Sequence, residues 1–211
     1  MRFDLVAFDL YGTLLAIEQL EGALASILGG DARKLLADWR KAQLARTWEL
    51  NQRGGYEPFG EVTARALAQV APHLGPQVME RACKAWLTVP AHPDARPALR
   101  KLRAGGVRSA VLSNGTAPMI RSALDAAGLP IDEVRSVDEV RVYKPDARVY
   151  ALLDAMAPRE RTLFVSSNGW DADGCKRTGR TVAYIDRGGK APAERPDLRF
   201  ASLQELAGEV T

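Results

Sequence analysis

An α/β fold built on a parallel sheet flanked by helices, with an all-helical segment inserted after its first strand, is predicted by three features. The first is the apolar run Phe3–Asp9 (FDLVAFD), which ends in a carboxylate and is followed by Gly12. A parallel strand buried on both faces requires such an uninterrupted run, and the glycine marks a turn after it. The second is helical periodicity from Ile17 to about Thr88. The third is the alternation of strand-like and helix-like segments after Pro90, which implies right-handed crossovers and a sheet covered on both faces.

The elements follow in order. The first strand delivers Asp9 to a loop. In the helical stretch the apolar positions are Leu20, Leu24, Ile27 and Leu28, then Leu35, Leu36, Trp39 and Leu44, then Val62, Ala66, Leu67 and Val70. Glycine pairs such as Gly29-Gly30 and the PHLGP turn punctuate them. Beyond Pro90 come a strand Val107–Ser113 and a helix through Ile120 and Leu124. A connection carries Lys144 into a helix starting near Asp146. A strand Leu163–Ser166, a helix near Cys175 and a strand Val182–Ile185 complete the series. Residues 1–15 and 89–211 are thus expected to form the α/β core, and 16–88 a helical cap. In open parallel sheets ligands bind beyond the carboxyl ends of the strands. Asp9, Ser113, Ser166 and Ser167 fall at such ends, so distant segments are expected to converge on one crevice.

Composition narrows the function. At 211 residues the chain has room for one core with a modest insertion, and 46% apolar residues are too many for a disordered chain. No apolar run approaches the ~20 residues that span a bilayer, and the amino-terminal segment lacks the pattern of a signal peptide. A cytoplasmic protein is the expectation. The net charge of +3 is spread along the chain, which argues against nucleic acid. Cys83 and Cys175 fit no metal spacing, and His73 and His92 fit no triad.

A lone aspartate at a strand end could be a cap or an ion-pair partner. Asp9 instead stands in AFDLYGTLL, with Gly12 permitting a tight turn and Thr13 supplying a hydroxyl at a fixed offset. This segment resembles the haloacid dehalogenase superfamily, with its Rossmann-like core and cap, and more narrowly the L-2-haloacid dehalogenases, whose first motif is DxYGT. The similarity extends through WRKAQLARTW, LSNG, SVDEVRVYKPDARVY and FVSSNGWDA to VAYIDRGG, nearly the whole chain.

The resemblance implies Asp9 as nucleophile. Phosphatases of the superfamily carry a second aspartate two residues later, to protonate an alkoxide leaving group. Here that position is Tyr11, and a halide leaves without a proton. Magnesium-dependent members also carry an aspartate where this chain has Ser167, and magnesium wants hard anionic ligands. No metal and no cofactor are therefore expected. Lys144, in a KP context, is implied to reach the crevice, where an ammonium favours the ionised, attacking carboxylate. Asp171, with Ser167 and Asn168, is implied to position water. Tyr150 resembles the dehalogenase tyrosine, with core packing as its competitor. Ser166, Ser113 and Asn114 are expected to bind substrate, although Ser113 and Asn114 could equally cap a helix. Arg40 would face the departing halide, and Leu44, Phe59 and Trp170 would form an apolar lining.

The expected reaction is conversion of an L-2-haloacid to a D-2-hydroxy acid through an aspartyl ester, with a small haloacid as partner and a homodimer formed through the cap. Departures concern the pocket. Lys41 replaces a usual glutamine, Asn51-Gln52-Arg53 replaces a more apolar stretch, and the segment GLPIDEVR is short. Lys41 keeps open another activated carbon, such as a fluoroacid or a strained-ring amino acid. A magnesium-dependent phosphatase and an idle interaction module are the remaining alternatives.

Overall fold

A computed structural model describes residues 3–28 and 31–211, Leu28 through its backbone alone. The Gly29-Gly30 break and the Leu28 side chain noted above lie outside the described residues. The strands are β1 (Leu5–Phe8), β2 (Arg108–Ser113), β3 (Glu133–Ser136), β4 (Thr162–Ser166), β5 (Thr181–Ile185) and β6 (Leu198–Phe200). Between β1 and β2 the chain forms helices α1 (Leu20–Leu28), α2 (Ala32–Arg53), α3 (Phe59–Val70), α4 (Pro76–Ala85) and α5 (Ala95–Ala104). α6 (Ala117–Ala127), α7 (Ala147–Ala151), α8 (Gly169–Lys176) and α9 (Leu203–Val210) follow β2, β3, β4 and β6 in turn.

The strands form one parallel sheet in the order β3-β2-β1-β4-β5-β6. From β1 the chain winds outward through β2 and β3, then returns to build β4, β5 and β6 on the other side. The winding therefore reverses between β1 and β4, and a crevice opens beyond their carboxyl ends. Phe8 pairs with both Val111 and Val165, and the Asp9 N–H continues the ladder to the Val165 carbonyl at 2.9 Å. Asp9 thus stands one residue past β1, at the mouth of that crevice.

Side-chain alternation explains how both faces are covered. Val6, Phe8, Val111, Leu163, Val165, Ala183 and Ile185 point into one core, completed by α5, α6 and α9 through Leu99, Ile120 and Leu203. Leu5, Ala7, Ala110, Leu112, Phe164, Val182 and Tyr184 point into the other, completed by α7 and α8 through Val149 and Cys175. β3 and β6 escaped the sequence reading because they are edge strands. Their segments EVRS and LRF mix charged with apolar residues, as half-exposed edges do.

Helices α1 to α4 lie between two chain crossings that run side by side. Leu15 bridges Ala91 in antiparallel fashion, Ala16 N–H bonds the Pro90 carbonyl at 2.8 Å, and His92 N–H bonds the Leu14 carbonyl at 2.9 Å. The long helix α2 begins at Asp31, whose side chain accepts from Lys34 N–H, and ends at Gly54 in a left-handed conformation. Its buried stripe is Ala32, Leu36, Trp39, Gln43, Thr47 and Leu50, a spacing of three and four in which α3 receives the Gln43 amide and the Leu44 carbonyl of α2 itself receives the Thr47 hydroxyl. Trp39 Nε1 donates to the Thr63 carbonyl at 2.8 Å, and Gln43 donates to Thr63 Oγ1 at 2.9 Å.

Leu112 is fully buried in β2. Leu112→Ala should therefore lower unfolding stability by about 2–5 kcal/mol, the cost of lost burial plus an incompletely collapsed cavity, read as a shift in urea midpoint without a change in slope.

Candidate active site

Asp9 is almost wholly buried, and both of its carboxylate oxygens are engaged. Oδ1 accepts from Lys144 Nζ at 3.1 Å. Oδ2 accepts from Asn168 Nδ2 at 2.7 Å and from Thr13 Oγ1 at 3.1 Å. The local sequence accounts for this. Gly12 adopts φ +91°, a conformation that L side chains rarely take, and so lets the loop turn Thr13 back toward Asp9. Thr13 Oγ1 also accepts from Ser167 N–H at 2.9 Å, while Ser167 Oγ donates to the Gly12 carbonyl at 2.5 Å. The loops after β1 and β4 are thereby stitched together. Asn168 occupies the cap position of α8 yet makes no side-chain capping bond. Its amide serves Asp9 and the Tyr11 carbonyl instead.

Lys144, only 1% exposed, is the second pole of the site. Its ammonium lies 2.9 Å from Asp171 Oδ2 as well as 3.1 Å from Asp9, and 5.0 Å from the centre of the Phe164 ring. Burial alone would discharge it, but Asp171 and Asp9 more than offset that, and its pKa lies above the ordinary lysine value. Asp171 also accepts from Tyr150 OH at 2.7 Å and from Ser166 Oγ at 3.1 Å. Burial pushes its pKa up and Asp9 adds to the rise, while Lys144 and Tyr150 oppose it. Gly174, one turn further along α8, makes the packing possible. A Cβ there would meet Pro145 Cβ at 2.4 Å and Tyr150 OH at 2.7 Å.

Tyr11 is buried, and its hydroxyl is committed to the Trp86 carbonyl at 3.0 Å. Burial holds this phenol far above its ordinary pKa, against the pull of Arg40, so it remains a neutral wall. Its ring meets Trp86 edge-on, as does that of Trp39. The Arg40 guanidinium rests 5.9 Å from the Trp86 ring centre, and among the described residues no carboxylate forms an ion pair with it. Burial lowers its pKa, and the charges of Asp9, Tyr11 and Asp171 act in the opposite direction. A guanidinium within the field of the Asp9 carboxylate, with no ion-pair partner among the described residues, suits an anionic ligand.

The family model for haloacid dehalogenase-like hydrolases matches residues 3–179. The (S)-2-haloacid dehalogenase H-109 of Pseudomonas putida is 38% identical over 87% of this chain and 86% of its own length. The (S)-2-haloacid dehalogenase of Pseudomonas sp. strain YL is 37% identical over 95% and 91%. The chain belongs to the L-2-haloacid dehalogenase family. A solved structure of the L-2-haloacid dehalogenase from Xanthobacter autotrophicus, with chloropropionic acid covalently bound, superposes with a TM-score of 0.91 at 30% identity, over 99% of this chain and 98% of that one.

In this haloacid dehalogenase family member, the motif residues Asp9, Thr13, Lys144, Tyr150, Ser166, Ser167, Asn168 and Asp171 form one hydrogen-bonded cluster. Asn114 joins through its Oδ1, which accepts from Lys144 N–H at 3.0 Å. Ser113 Oγ accepts from Gly115 N–H at 3.2 Å. Neither Ser113 nor Asn114 caps the following helix. That position belongs to Thr116, whose side chain accepts from Met119 N–H, so the capping alternative is corrected: the SNG turn places two more residues between the strand and α6. Leu44, Phe59 and Trp170 stand outside the cluster. Phe59 packs on Tyr143, Trp170 meets Trp48 edge-on, Leu44 is half-buried, and Lys41 is exposed on α2.

The roles of three supporting residues escaped the sequence reading, although Asn51 stood out there as part of a departure. Asn51 bonds both the N–H and the carbonyl of Tyr143, at 2.9 and 2.8 Å, and so pins α2 to the Lys144 segment. Arg187 donates to the Thr13 carbonyl at 3.0 Å and to Asp94 at 2.9 Å. Trp86 serves Tyr11 and Arg40 together. Arg187 carried a signal in its position just past a strand end, as Asn51 did in standing where a more apolar stretch is usual.

Tyr150→Phe removes a donor that favours ionised Asp171. A hydrogen bond to a charged group contributes about 1.5–3 kcal/mol and a pKa unit corresponds to about 1.4 kcal/mol, so the acid limb of a rate that needs this carboxylate ionised should move up by about one pH unit or more. A pH profile of turnover for the variant and the parent measures the shift.

Proposed function

We propose that this enzyme is a hydrolytic dehalogenase that converts (S)-2-haloacids into (R)-2-hydroxy acids and halide through an ester on Asp9, without a metal ion. The observation that carries the reading is the state of Tyr11. The position two residues after the nucleophile holds a buried phenol whose proton is already given to a backbone carbonyl. No acid stands there for an alkoxide leaving group, and a halide needs none.

Asp9 attacks C2 of the substrate from the side opposite the halogen, and the configuration inverts. Lys144, Thr13 and Asn168 hold the carboxylate in place for that attack. Charge grows on the halogen as the carbon–halogen bond breaks, and Arg40 supplies the cation to meet it. Asn114 has its carbonyl oxygen taken by Lys144 N–H, which leaves its amide N–H groups for the halide or the substrate carboxylate. Ser113 is the companion ligand for that carboxylate. Water then adds to Cγ of the Asp9 ester, with Asp171 receiving its proton and Ser166, Ser167 and Asn168 fixing the surrounding loop. Leu44, Phe59 and Trp170 line the apolar side. Lys144 provides the positive charge between the two carboxylates, and Ser167 offers a hydroxyl where a metal site would need another carboxylate.

The deciding assay incubates the protein with a chelator and each enantiomer of 2-chloropropionate and measures chloride. Chloride should come from the (S) form alone, with (R)-2-hydroxypropionate as product. Retained configuration would exclude direct displacement, and chelator-sensitive release of phosphate from phosphomonoesters would favour a phosphatase instead. Asp9→Asn should abolish turnover while the protein stays folded. Arg40→Ala should lower kcat by about 10²–10³, the range seen on losing one preorganised stabiliser of developing charge.

A further inference from the structure

The second half-reaction needs water at Asp9 when the substrate's carbon chain and the departing halide occupy the side of the nucleophile facing Arg40 and Tyr11. A cavity of about 200 Å³ lies on another side of the same loop. Its inner wall is formed by Gly12, Ser167 and Asn168, and its flanks by His92 and Arg187. Glu18 and Gly189 line it as well, and both are exposed, so the cavity opens to solvent at their end. Asn168 is both a wall of the cavity and the donor to Asp9 Oδ2 at 2.7 Å.

The lining is made for water. His92 is buried with its Nδ1 3.7 Å from Glu18, and its Nε2 has no hydrogen-bond partner among the described residues. Arg187 Nε is likewise buried without a partner. Buried donors and acceptors left unsatisfied are costly, and ordered water removes that cost. A water molecule takes about 30 Å³ in the liquid, so the space holds several.

We propose that this cavity is the inlet for the hydrolytic water, separate from the cleft that admits the haloacid, with Asn168 as the gate between it and the Asp9 ester. The proposal rests on the ester chemistry above. Water entering past Asn168 bonds its oxygen to Cγ of Asp9, and the bond from Cγ to the substrate-bearing oxygen breaks. That oxygen leaves as the product hydroxyl with one proton of the water. The other proton passes to Asp171 and on to solvent, and Asp9 returns as a carboxylate. The division of labour explains how an apolar substrate pocket and a water-dependent step share one nucleophile.

Gly189 offers the test. Its backbone lies outside the left-handed region, and a Cβ there would meet only the Ser167 carbonyl oxygen at 3.9 Å, so larger side chains can extend into the cavity mouth. Gly189→Ala and Gly189→Leu would be compared with the parent under single-turnover conditions with (S)-2-chloropropionate. Chloride, 2-hydroxypropionate and the intact mass of the protein would be followed together. Chloride release should be unchanged, product formation should slow several-fold in the leucine variant and less in the alanine variant, and the ester adduct should accumulate in the same order. Product formation at the parent rate in a folded leucine variant would overturn the inlet, as would equal slowing of chloride and product. A parent protein that releases product without ever showing label from heavy-oxygen water in the Asp9 peptide would instead sink the ester chemistry, and the inlet with it.

Discussion

The buried ammonium of Lys144 between the carboxylates of Asp9 and Asp171 is the constraint around which the molecule is arranged. Two carboxylates taken out of water repel each other, and each loses hydration worth several kcal/mol. One cation between them turns the repulsion into a chain of attractions, provided the remaining lone pairs are also satisfied. Thr13 and Asn168 do this for Asp9, and Tyr150 and Ser166 do it for Asp171. With Arg40 nearby the cluster approaches neutrality, and among the described residues no carboxylate forms an ion pair with Arg40. The site is thus electrostatically settled by its own groups, with one cation left over from the internal pairing.

That arrangement requires four chain segments to meet within hydrogen-bond distance, and the parallel sheet is what brings them. β1 and β4 are neighbours on either side of the winding reversal, so the loops after them are adjacent without any long excursion. β2 contributes Asn114 on the other flank of β1, where it holds the backbone of Lys144. The helices add fixation from above and beside. Asn51 of α2 grips Tyr143, next to Lys144, and Arg187 beyond β5 grips Thr13, next to the nucleophile loop's turn. Both act on backbone atoms, which is why their identity is invisible to any reading of catalytic motifs.

The same logic decides which parts of the fold were legible. Strands buried on both faces must be apolar throughout, so β1, β2, β4 and β5 stand out in the text of the chain. β3 and β6 do not, because an edge strand has one neighbour and a partly wet face, and its composition is that of a loop. The buried stripe of α2 contains Gln43, a polar residue whose amide is met by Thr63 of another helix and whose burial cannot be inferred from spacing along α2 alone. The SNG turn after β2 reads as a capping sequence, but the helix starts later, with Thr116 as its cap, and Asn114 bonds Lys144 instead.

From the sequence alone came the alternation of buried strands and helices, the helical insertion after the first strand, and the place of Asp9 at a strand end, since each of these is written locally: an apolar run, a glycine after it, a helical periodicity. What only the tertiary structure decided is which atoms meet. Lys144 is 135 positions from Asp9, and whether its ammonium bridges two carboxylates or reaches solvent depends on how β3, α7 and α8 pack, Gly174 included. Partnerships of that kind arise from distances across the fold, where chain separation carries no information, and so the chemistry could be named from the residues while its geometry could not.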